Sequence, residues 1–132
     1  MTWPGPVSPE EPLARLLFSS NWYSPAKRLV KQAAFLPDRN RQLSVCRNGG
    51  MEFAELWRVG DKDPSARTLH GAGIVKAGMV GETGLSVDPN NVPPRHAHII
   101  GWPAQKDEQK SLALRLSSVA ELVLRETAVG GS

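Results

Sequence analysis

Glycine and proline interrupt this chain so often that long helices and strands are excluded over most of its length. The 132 residues include 12 glycines and 11 prolines, and both residue types break regular backbone structure. The length suffices for one hydrophobic core. We therefore expect a single small domain of short elements over residues 13–126. A flexible N-terminal arm at 1–12 and a flexible tail at 127–132 would flank it.

Three short segments have the composition of β-strands. Leu43–Arg47 is partly β-branched and stops at an Asn-Gly-Gly sequence, which is a strong turn signal. Residues 85–87 and 97–100 are apolar and flank the turn-rich stretch 88–94. We expect these three segments to pair in a short mixed sheet.

The clearest helical pattern covers residues 107–125, near the C-terminus. Apolar side chains recur there at a spacing that places them on one helical face. They are Leu112, Leu116, Val119, Ala120 and Val123. An amphipathic helix needs a surface to cover, so the predicted fold class is α+β, with the short mixed sheet packed against this helix.

Four other segments have less definite patterns. We expect a short buried helix at 13–18, where acidic residues and a proline precede an apolar run, and a helix at 51–59 that a glycine ends. Residues 27–35 are ambiguous, with helical apolar spacing in front of a proline. Residues 70–83 are rich in glycine and suit either a short helix over 74–80 or a bulged strand.

Composition favours a cytoplasmic protein without a membrane-spanning segment. The single cysteine, Cys46, has no partner for an internal disulfide, which fits a reducing compartment. No apolar run is long enough to span a membrane, and the N-terminus lacks the basic start and apolar centre of a signal peptide. The glycines of 70–84 match neither a phosphate loop nor a dinucleotide fingerprint, so we expect no cofactor. Ser44 and Ser86 lie in no nucleophile motif.

Positive charge is concentrated in the N-terminal part of the chain. Residues 1–50 carry seven Lys/Arg against three Asp/Glu, whereas residues 51–132 carry nine against ten. The basic cluster consists of Lys27, Arg28, Lys31, Arg39, Arg41 and Arg47. It forms either a solvated basic face or a surface that contacts phosphates or an acidic protein.

Residues 92–103, VPPRHAHIIGWP, hold the most unusual side chains of the chain. Residues two apart on a strand point to the same side, so His96 and His98 share one side and the apolar residues between and after them share the other. The histidines would then lie on the less buried side. A zinc site would need a third ligand such as His70, and nothing in the sequence fixes His70 nearby. We therefore expect no metal and a pair of surface or edge histidines, with the three-histidine site as the alternative.

An acid–base site is a further alternative for the same segment. Arg95 beside His96 would place a fixed cation next to a group that titrates near neutrality, which suits general catalysis at a phosphodiester. Arg28, Lys31 and Arg47 would then hold the nucleic-acid backbone. Under this alternative, the chain would be a small toxin-like enzyme that acts on RNA or a nucleotide cofactor, with His96 as acid or base.

Five aromatic side chains could stack on a base or a ligand ring. They are Trp3, Trp22, Tyr23, Trp57 and Trp102. Trp57 lies in a helical pattern and is expected in the core. Trp22, in a loop, and Trp102, between a glycine and a proline, are the better surface candidates, although burial is the simpler expectation for each.

The order of landmarks along the chain resembles a group of small uncharacterised bacterial proteins. Their pattern begins with a Leu/Arg-rich start, Ala-Phe-x-Pro, Leu-Ser-Val and a helix with Ala-Glu and Trp. It continues with Gly-Leu-x-Val before Asp-Pro, then Pro-x-x-His-Ala-x-Ile, and a closing Lys…Leu-Ala helix. The matching residues here are 13–17, 34–37, 43–45, 54–57, 84–89, 93–99 and 110–116. The resemblance spans residues 13–122 and implies no established activity or cofactor. It implies that His96 belongs to the shared pattern and that His98 is variable, which argues against a His-x-His metal site.

An arginine near the start, a Ser-rich middle and a Glu-bearing helix are also similar to small toxins that use a nicotinamide dinucleotide to modify their targets. That likeness implies Arg15, Tyr23 and Glu55 as the positions to test. Glu55 thus joins His96 and Arg95 as a catalytic candidate.

The absence of a complete catalytic motif favours a non-enzymatic interaction module. We expect an accessory protein, of the kind found in bacterial toxin–antitoxin or defence gene neighbourhoods, that binds a protein partner or a nucleic acid. The expected contact residues are Arg95, His96, His98, Trp102, Arg28, Lys31 and Arg47.

Overall fold

Short elements make up the chain, as its frequent glycines and prolines predict. The structure is a computed structural model that describes residues 5–62 and 67–125. The strands are β1 (Pro12–Leu17), β2 (Tyr23–Ser24), β3 (Leu29–Val30), β4 (Leu43–Arg47), β5 (Gly71–Lys76), β6 (Ser86–Asp88), β7 (His96–Ile100) and β8 (Glu121–Leu124). The helices are α1 (Phe53–Asp61), α2 (Ala77–Glu82) and α3 (Lys106–Val119), with 3-10 helices at Ser20–Trp22 and Gln32–Phe35. Among these described residues, none of the helices has the length and hydrophobicity needed to cross a bilayer.

Six strands form one antiparallel sheet in the order β6-β7-β4-β1-β5-β8, and β2 pairs with β3 in a separate hairpin. β1 lies inside the sheet, where Leu13 faces Arg47 of β4 and Leu17 faces Gly71 of β5. The predicted α+β class, a single small domain whose sheet packs against a helix near the C-terminus, is confirmed. The sheet is larger than predicted. The prediction that it is mixed was wrong, because each pairing between its described strands is antiparallel.

The two sides of the sheet are covered unequally. On the side that we call the α3 side, α3, α2, β3 and the 3-10 helix Gln32–Phe35 enclose the main hydrophobic core. Its largest buried side chains include Phe35, Leu13, Leu17, Leu43, Ile99, Leu116 and Val80. On the opposite side, the α1 side, Leu56 of α1 packs in a smaller buried cluster with Ala14, Cys46 and Ala72.

Residues 13–17 belong to the strand β1, so the prediction of a short helix at 13–18 was wrong. Leu13 and Leu17 are buried on the α3 side, and Ala14 is buried on the α1 side. A strand that is buried on both sides has a nearly continuous apolar run, which periodicity alone does not separate from a short buried helix. Pro12 is tolerated because it occupies the first position of β1.

The predicted helix over 107–125 is two elements. α3 ends at Val119, the backbone turns extended at Ala120, and β8 pairs with β5 from Gly71–Leu124 to Ile74–Glu121. The prediction failed because residues 121–124 gain a neighbouring strand that the local pattern does not reveal. The helix is buried at Ala113 and Leu116, whereas Val119, assigned to the apolar face, is 44% exposed.

The ambiguous segments contain more than one element each. Residues 27–35 divide into β3 and the 3-10 helix Gln32–Phe35, and residues 70–83 supply both β5 and α2. The helix predicted at 51–59 is α1. Its glycine, Gly60, lies within the helix, where a Cβ would approach Leu69 Cδ2 to 2.5 Å.

The strands predicted at Leu43–Arg47, 85–87 and 97–100 are confirmed as β4, β6 and β7, the last two with starts shifted by one residue.

The first described residues pack against the domain and do not extend from it as the predicted flexible arm would. The carbonyl of Pro9 accepts a hydrogen bond from Gly78 N–H at 2.8 Å, and that of Glu11 accepts one from Ala77 N–H at 2.9 Å. Val7 packs against the main core. Trp3 and the predicted tail at 127–132 lie outside the described residues.

A buried ion pair fixes this N-terminal segment. The guanidinium of Arg47 is fully buried and binds Glu11 through Nε–Oε2 at 2.5 Å and Nη2–Oε1 at 3.0 Å. Its Nη2 also donates to the Gly5 carbonyl at 2.7 Å, and Nη1 donates to Asn91 Oδ1 at 3.4 Å. Arg47 therefore connects the N-terminal segment, the end of β4 and the loop before β7.

We expect Glu11→Ala to lower the free energy of unfolding by about 3–5 kcal/mol, because it leaves the Arg47 charge buried without its counterion. A Glu11→Leu/Arg47→Met double variant removes both charges and should lose less than the single variant. The matched control is the neighbouring pair Glu10–Lys76, whose side chains are 84% and 63% exposed. Lys76→Ala should cost less than about 1 kcal/mol. Urea denaturation measures all three, and equal losses for Glu11→Ala and Lys76→Ala would contradict this account.

Candidate functional site

A tight loop sets the position of the histidine strand. Asn91 and Arg95 adopt positive φ values of 54° and 72°. His96 N–H donates to the Pro93 carbonyl at 3.0 Å, and the His96 carbonyl accepts from Asn91 N–H at 2.8 Å. The loop thereby delivers His96 as the first residue of β7.

His96 and His98 point to the α1 side, as their two-residue spacing predicts. Ala97 and Ile99, which alternate with them, are fully buried on the α3 side. Both histidines are half-buried, and their rings are perpendicular with centroids 4.5 Å apart. The prediction that the pair lies on the less buried side is confirmed.

Polar side chains of the two neighbouring strands flank His98. His98 lies directly opposite Ser44 of β4 and directly opposite Asp88 of β6. On this side, Leu56 of α1 packs on Ala14, Cys46 and Ala72, which belong to β1, β4 and β5. The strands β7 and β6, at the edge of the sheet, therefore keep an accessible surface. We call this surface the open sheet face. It consists of Ser44, Ser86, Asp88, His96, His98 and Ile100.

The hydrogen bonds of Asn90 define the neutral tautomer of His96. Asn90 Oδ1 accepts a hydrogen bond from Val92 N–H at 3.2 Å and lies 2.9 Å from His96 Nδ1. An oxygen that already accepts from a backbone N–H needs a donor from the ring, so Nδ1 carries the proton. The lone pair of neutral His96 is therefore on Nε2, the nitrogen that a ligand or a reacting proton would meet.

The surroundings of His96 favour its neutral form. Partial burial, and secondarily the neighbouring His98, lower the pKa of His96 below its ordinary value. Cys46 lies directly opposite His96, but burial raises the pKa of its thiol to about 11, and Arg95 offsets this only in part. The thiol is therefore protonated at neutral pH and is unsuited to act as a nucleophile with His96 as its base.

The row Ser44–His98–Asp88 has the residue types of a nucleophile, a base and a carboxylate. Within the described residues, no hydrogen bond joins His98 to Ser44 or Asp88. Backbone N–H groups of an antiparallel ladder bond along the sheet and do not project from its face, so this row has no donors for an oxyanion. The row suits contact with a partner better than acyl transfer. Sequence reasoning missed it because pairing register is not visible in a single sequence.

An aromatic pair on α1 adds to the accessible surface of the α1 side. Phe53 is 43% exposed and stacks on Trp57 with ring centroids 5.8 Å apart. Trp57, expected in the core, packs partly against the cluster around Leu56 and is otherwise accessible. The four-residue spacing of the two rings on one helix was the available sequence signal.

Two predicted contact residues are structural, so their assignment to a surface was wrong. Trp102 is 4% exposed, and its Nε1 donates to the Ile99 carbonyl at 2.9 Å. Arg47 is enclosed in the ion pair with Glu11. Arg95 is half-buried, and its Nη1 donates to the carbonyls of Arg47 and Gly49, both at 3.0 Å. Arg95 thus holds the turn after β4 beside the histidine strand.

The predicted contact residues do not form one surface. Lys27, Arg28 and Lys31 belong to the β2–β3 hairpin, whose Val30 packs in the core of the α3 side. His96 and His98 lie on the α1 side. The sheet therefore separates the basic residues from the histidines.

His70 is not near the histidine pair. It precedes β5, where its N–H donates to the Leu17 carbonyl at 2.8 Å and its Nδ1 lies 3.1 Å from the hydroxyl of Tyr23. Strands β1 and β4 lie between β5 and β7. The structure thus does not assemble the three-histidine alternative, and the part of the chain that it describes contains no group of three metal-ligating side chains close enough for an ion.

Of the residues suggested by the dinucleotide-toxin likeness, Glu55 is separated from Arg15 and Tyr23 by the sheet. Arg15 lies on the α3 side, where Nε donates to the Ala34 carbonyl at 2.7 Å and the guanidinium lies 5.0 Å from the Trp22 ring centroid. Burial, followed by the charge of Arg67, lowers the pKa of Arg15 to about 10, so it stays charged at neutral pH. Glu55 is on α1, where its Oε1 accepts from Glu52 N–H and closes a capping box. Its role there is to begin the helix.

A cavity of about 340 Å³ lies apart from both histidines, between the N-terminal segment, α2 and β6. Its lining residues are Val7, Ser8, Pro9, Ala77, Gly78, Gly81, Leu85, Ser86 and Val87. It shares Ser86 with the open sheet face and contains no titratable side chain.

Comparisons with protein-family models, with curated proteins and with solved structures gave no match to this chain.

We expect nuclear magnetic resonance titration to give His96 a pKa below 6.5, its ordinary value. His98→Gln should raise this pKa only in part, because burial is the larger cause and remains. His70→Gln should leave the pKa of His96 unchanged, because β1 and β4 separate His70 from the histidine pair. Because the unfolded chain would take up the proton first, protonation of His96 destabilises the fold as the pH falls from about 6.5 through its folded-state pKa. A His96 pKa at or above 6.5 in the wild type would contradict this description.

Proposed function

We propose that this protein is a non-enzymatic binding module that contacts a protein partner through its α1 side. The contact surface consists of the open sheet face and the Phe53–Trp57 pair. The observation that carries the proposal is the accessibility of polar and imidazole side chains on β4, β7 and β6, on the same side of the sheet as the exposed Phe53 ring and its half-buried partner Trp57.

The chemistry of this surface suits a protein partner. Aromatic side chains are enriched at the centres of protein interfaces, and histidine, serine and aspartate supply both donors and acceptors around them. Phe53 and Ile100 give apolar area, while His98, Ser44 and Asp88 offer donors and acceptors to a partner. Asp88 would repel a phosphate backbone, which favours a protein over a nucleic acid on this side.

Two finer expectations accompany this proposal. The lone cysteine and the composition support a cytoplasmic protein. The landmark order supports a place among small bacterial accessory proteins, of which those in toxin–antitoxin or defence neighbourhoods are one kind.

Affinity capture from a lysate of the source organism tests the contact surface. The Phe53→Ala/His98→Ala variant should retain at least tenfold less of the partner than the wild type, because it removes the aromatic anchor and the centre of the polar row. Leu114→Ala/Arg115→Ala is the matched control, since both residues are exposed on α3 and lie away from this surface. It should retain the partner fully.

Direct contact is tested by a photo-crosslinking residue at Ser44, with the same residue at Leu114 as control. Crosslinking of the captured protein from Ser44 and not from Leu114 is the expected result. Thermal unfolding confirms that the variants are folded. Equal capture by the two double variants would refute the proposal.

A second candidate function is an enzyme with His96 as general base. It is favoured by one observation: Asn90 fixes the proton on Nδ1, which leaves the Nε2 lone pair available on a ring whose lowered pKa keeps it neutral. A positioned neutral imidazole is what proton abstraction requires. Arg95 and Glu55, the other catalytic candidates, are engaged in structural hydrogen bonds.

Incubation with total RNA and with labelled nicotinamide dinucleotide tests this candidate. If the protein is an enzyme with His96 as general base, His96→Ala should lower RNA cleavage or label transfer by about 10²- to 10⁴-fold, the usual contribution of a general base. Asn90→Ala should lower it in the same direction by freeing the tautomer, whereas His70→Ala should leave it unchanged. Turnover that persists in His96→Ala, or no turnover by the wild type, excludes the candidate.

A further inference from the structure

The β2–β3 hairpin carries unpaired positive charge on the α3 side of the sheet. Residues 12–37 contain four Lys/Arg and no Asp/Glu. Lys27, Arg28 and Lys31 are exposed, and no acidic side chain of the described chain lies within ion-pair distance of them. Asp38, the acidic residue that follows in sequence, uses Oδ1 to accept hydrogen bonds from the backbone of the next turn.

Hydrogen bonds fix the backbone that carries these cations. Lys27 N–H donates to Ser24 Oγ at 3.2 Å, and Arg28 N–H donates to the Pro25 carbonyl at 3.3 Å, which closes the hairpin tip. On the other side, Gln32 Nε2 donates to the Lys110 carbonyl at 2.6 Å and ties the end of the hairpin to α3. The cations therefore project from a fixed backbone.

Trp22 lies beside the last of these cations. Lys31 N–H donates to the Trp22 carbonyl at 2.8 Å, which extends the hairpin pairing by one residue. The guanidinium of Arg15 lies over the Trp22 ring and is held in turn by the carbonyls of Ala34 and Ser44, at 2.7 and 3.2 Å. The indole is thus a half-exposed ring supported from below by a fixed cation.

We infer that this hairpin binds single-stranded nucleic acid. The binding surface, the hairpin surface, consists of Trp22, Lys27, Arg28, Leu29 and Lys31. The three cations contact successive phosphates, and an unpaired base stacks on the accessible part of Trp22. Stacking needs an unpaired base, so a duplex does not fit this arrangement.

An anionic membrane is a poorer occupant of the hairpin surface. Membrane-surface segments insert their aromatic side chains among the lipids. Trp22 is held against Arg15 and packs partly on the main core, so it is not free to insert. Leu29, at 38% exposed, is the remaining apolar side chain of this surface.

This inference is independent of the proposed protein-binding function, because the two surfaces lie on opposite sides of the sheet and share no residue. Either can fail without the other.

Fluorescence anisotropy with a short labelled oligouridine tests the inference on the full chain. The affinity should fall with salt, with a slope of log K against log salt near −2, as about three phosphate contacts to a single strand predict. Lys27→Glu/Lys31→Glu should weaken binding more than tenfold. The matched charge reversal Arg58→Glu/Lys62→Glu, in the last turn of α1 and at the residue after it, should not change it. Trp22→Leu should weaken binding between about fivefold and about 150-fold, the range for loss of one stacked base.

Several results would overturn the inference. These are equal effects of the two charge reversals, equal affinity for a duplex of the same length, or binding to phosphatidylserine vesicles without binding to the oligonucleotide. The exposed Lys27 and Lys31 make no core contacts, so their double variant keeps the test valid even if circular dichroism shows that Trp22→Leu is misfolded.

Discussion

The fully buried guanidinium of Arg47 is the point at which three distant segments of the chain meet. A buried charge is strongly destabilising without a counterion and further hydrogen bonds. Glu11 supplies the counterion, while Gly5 and Asn91 supply additional acceptors. The backbone of Arg47 is bound as well, since its N–H donates to the Arg95 carbonyl and its carbonyl accepts from the Arg95 side chain. The same residue therefore holds the N-terminal segment against the sheet and fixes the loop that positions His96.

Unequal coverage of the sheet gives the molecule its accessible polar surface. α3, α2, β3 and a 3-10 helix enclose the α3 side, whereas the nine residues of α1 bury a small cluster at the centre of the other side. An antiparallel sheet tolerates this, because one of its faces can meet water when its outward side chains are polar. The strands β6 and β7 satisfy that condition with Ser86, Asp88, His96 and His98. A small domain thus keeps a sheet face available for contact without losing its core.

The hairpin surface and the open sheet face differ in chemistry, and three residues that were predicted to contact a partner are structural. The hairpin surface is basic and carries one supported indole, while the open sheet face combines imidazoles, a carboxylate and hydroxyls. Arg47, Arg95 and Trp102 were predicted to be contact residues together with the histidines and the basic side chains. Instead, Arg47 forms a buried ion pair with Glu11, and the side chains of Arg95 and Trp102 donate hydrogen bonds to backbone carbonyls. The proximity of polar and aromatic residues in the sequence therefore does not show that they lie on one surface.

The sequence alone determined the features that depend on neighbouring residues. The two-residue period of a strand placed His96 and His98 on the same, less buried side, and the Asn-Gly-Gly turn ended β4 where it was expected. Tertiary structure decided what depends on distant partners. β1 and β8 are strands because β5 lies beside both of them, and Ser44 and Asp88 flank His98 through a register that no local pattern encodes. The physical reason is that covalent geometry sets the direction of side chains within an element, whereas burial and pairing follow from contacts between residues far apart in the chain.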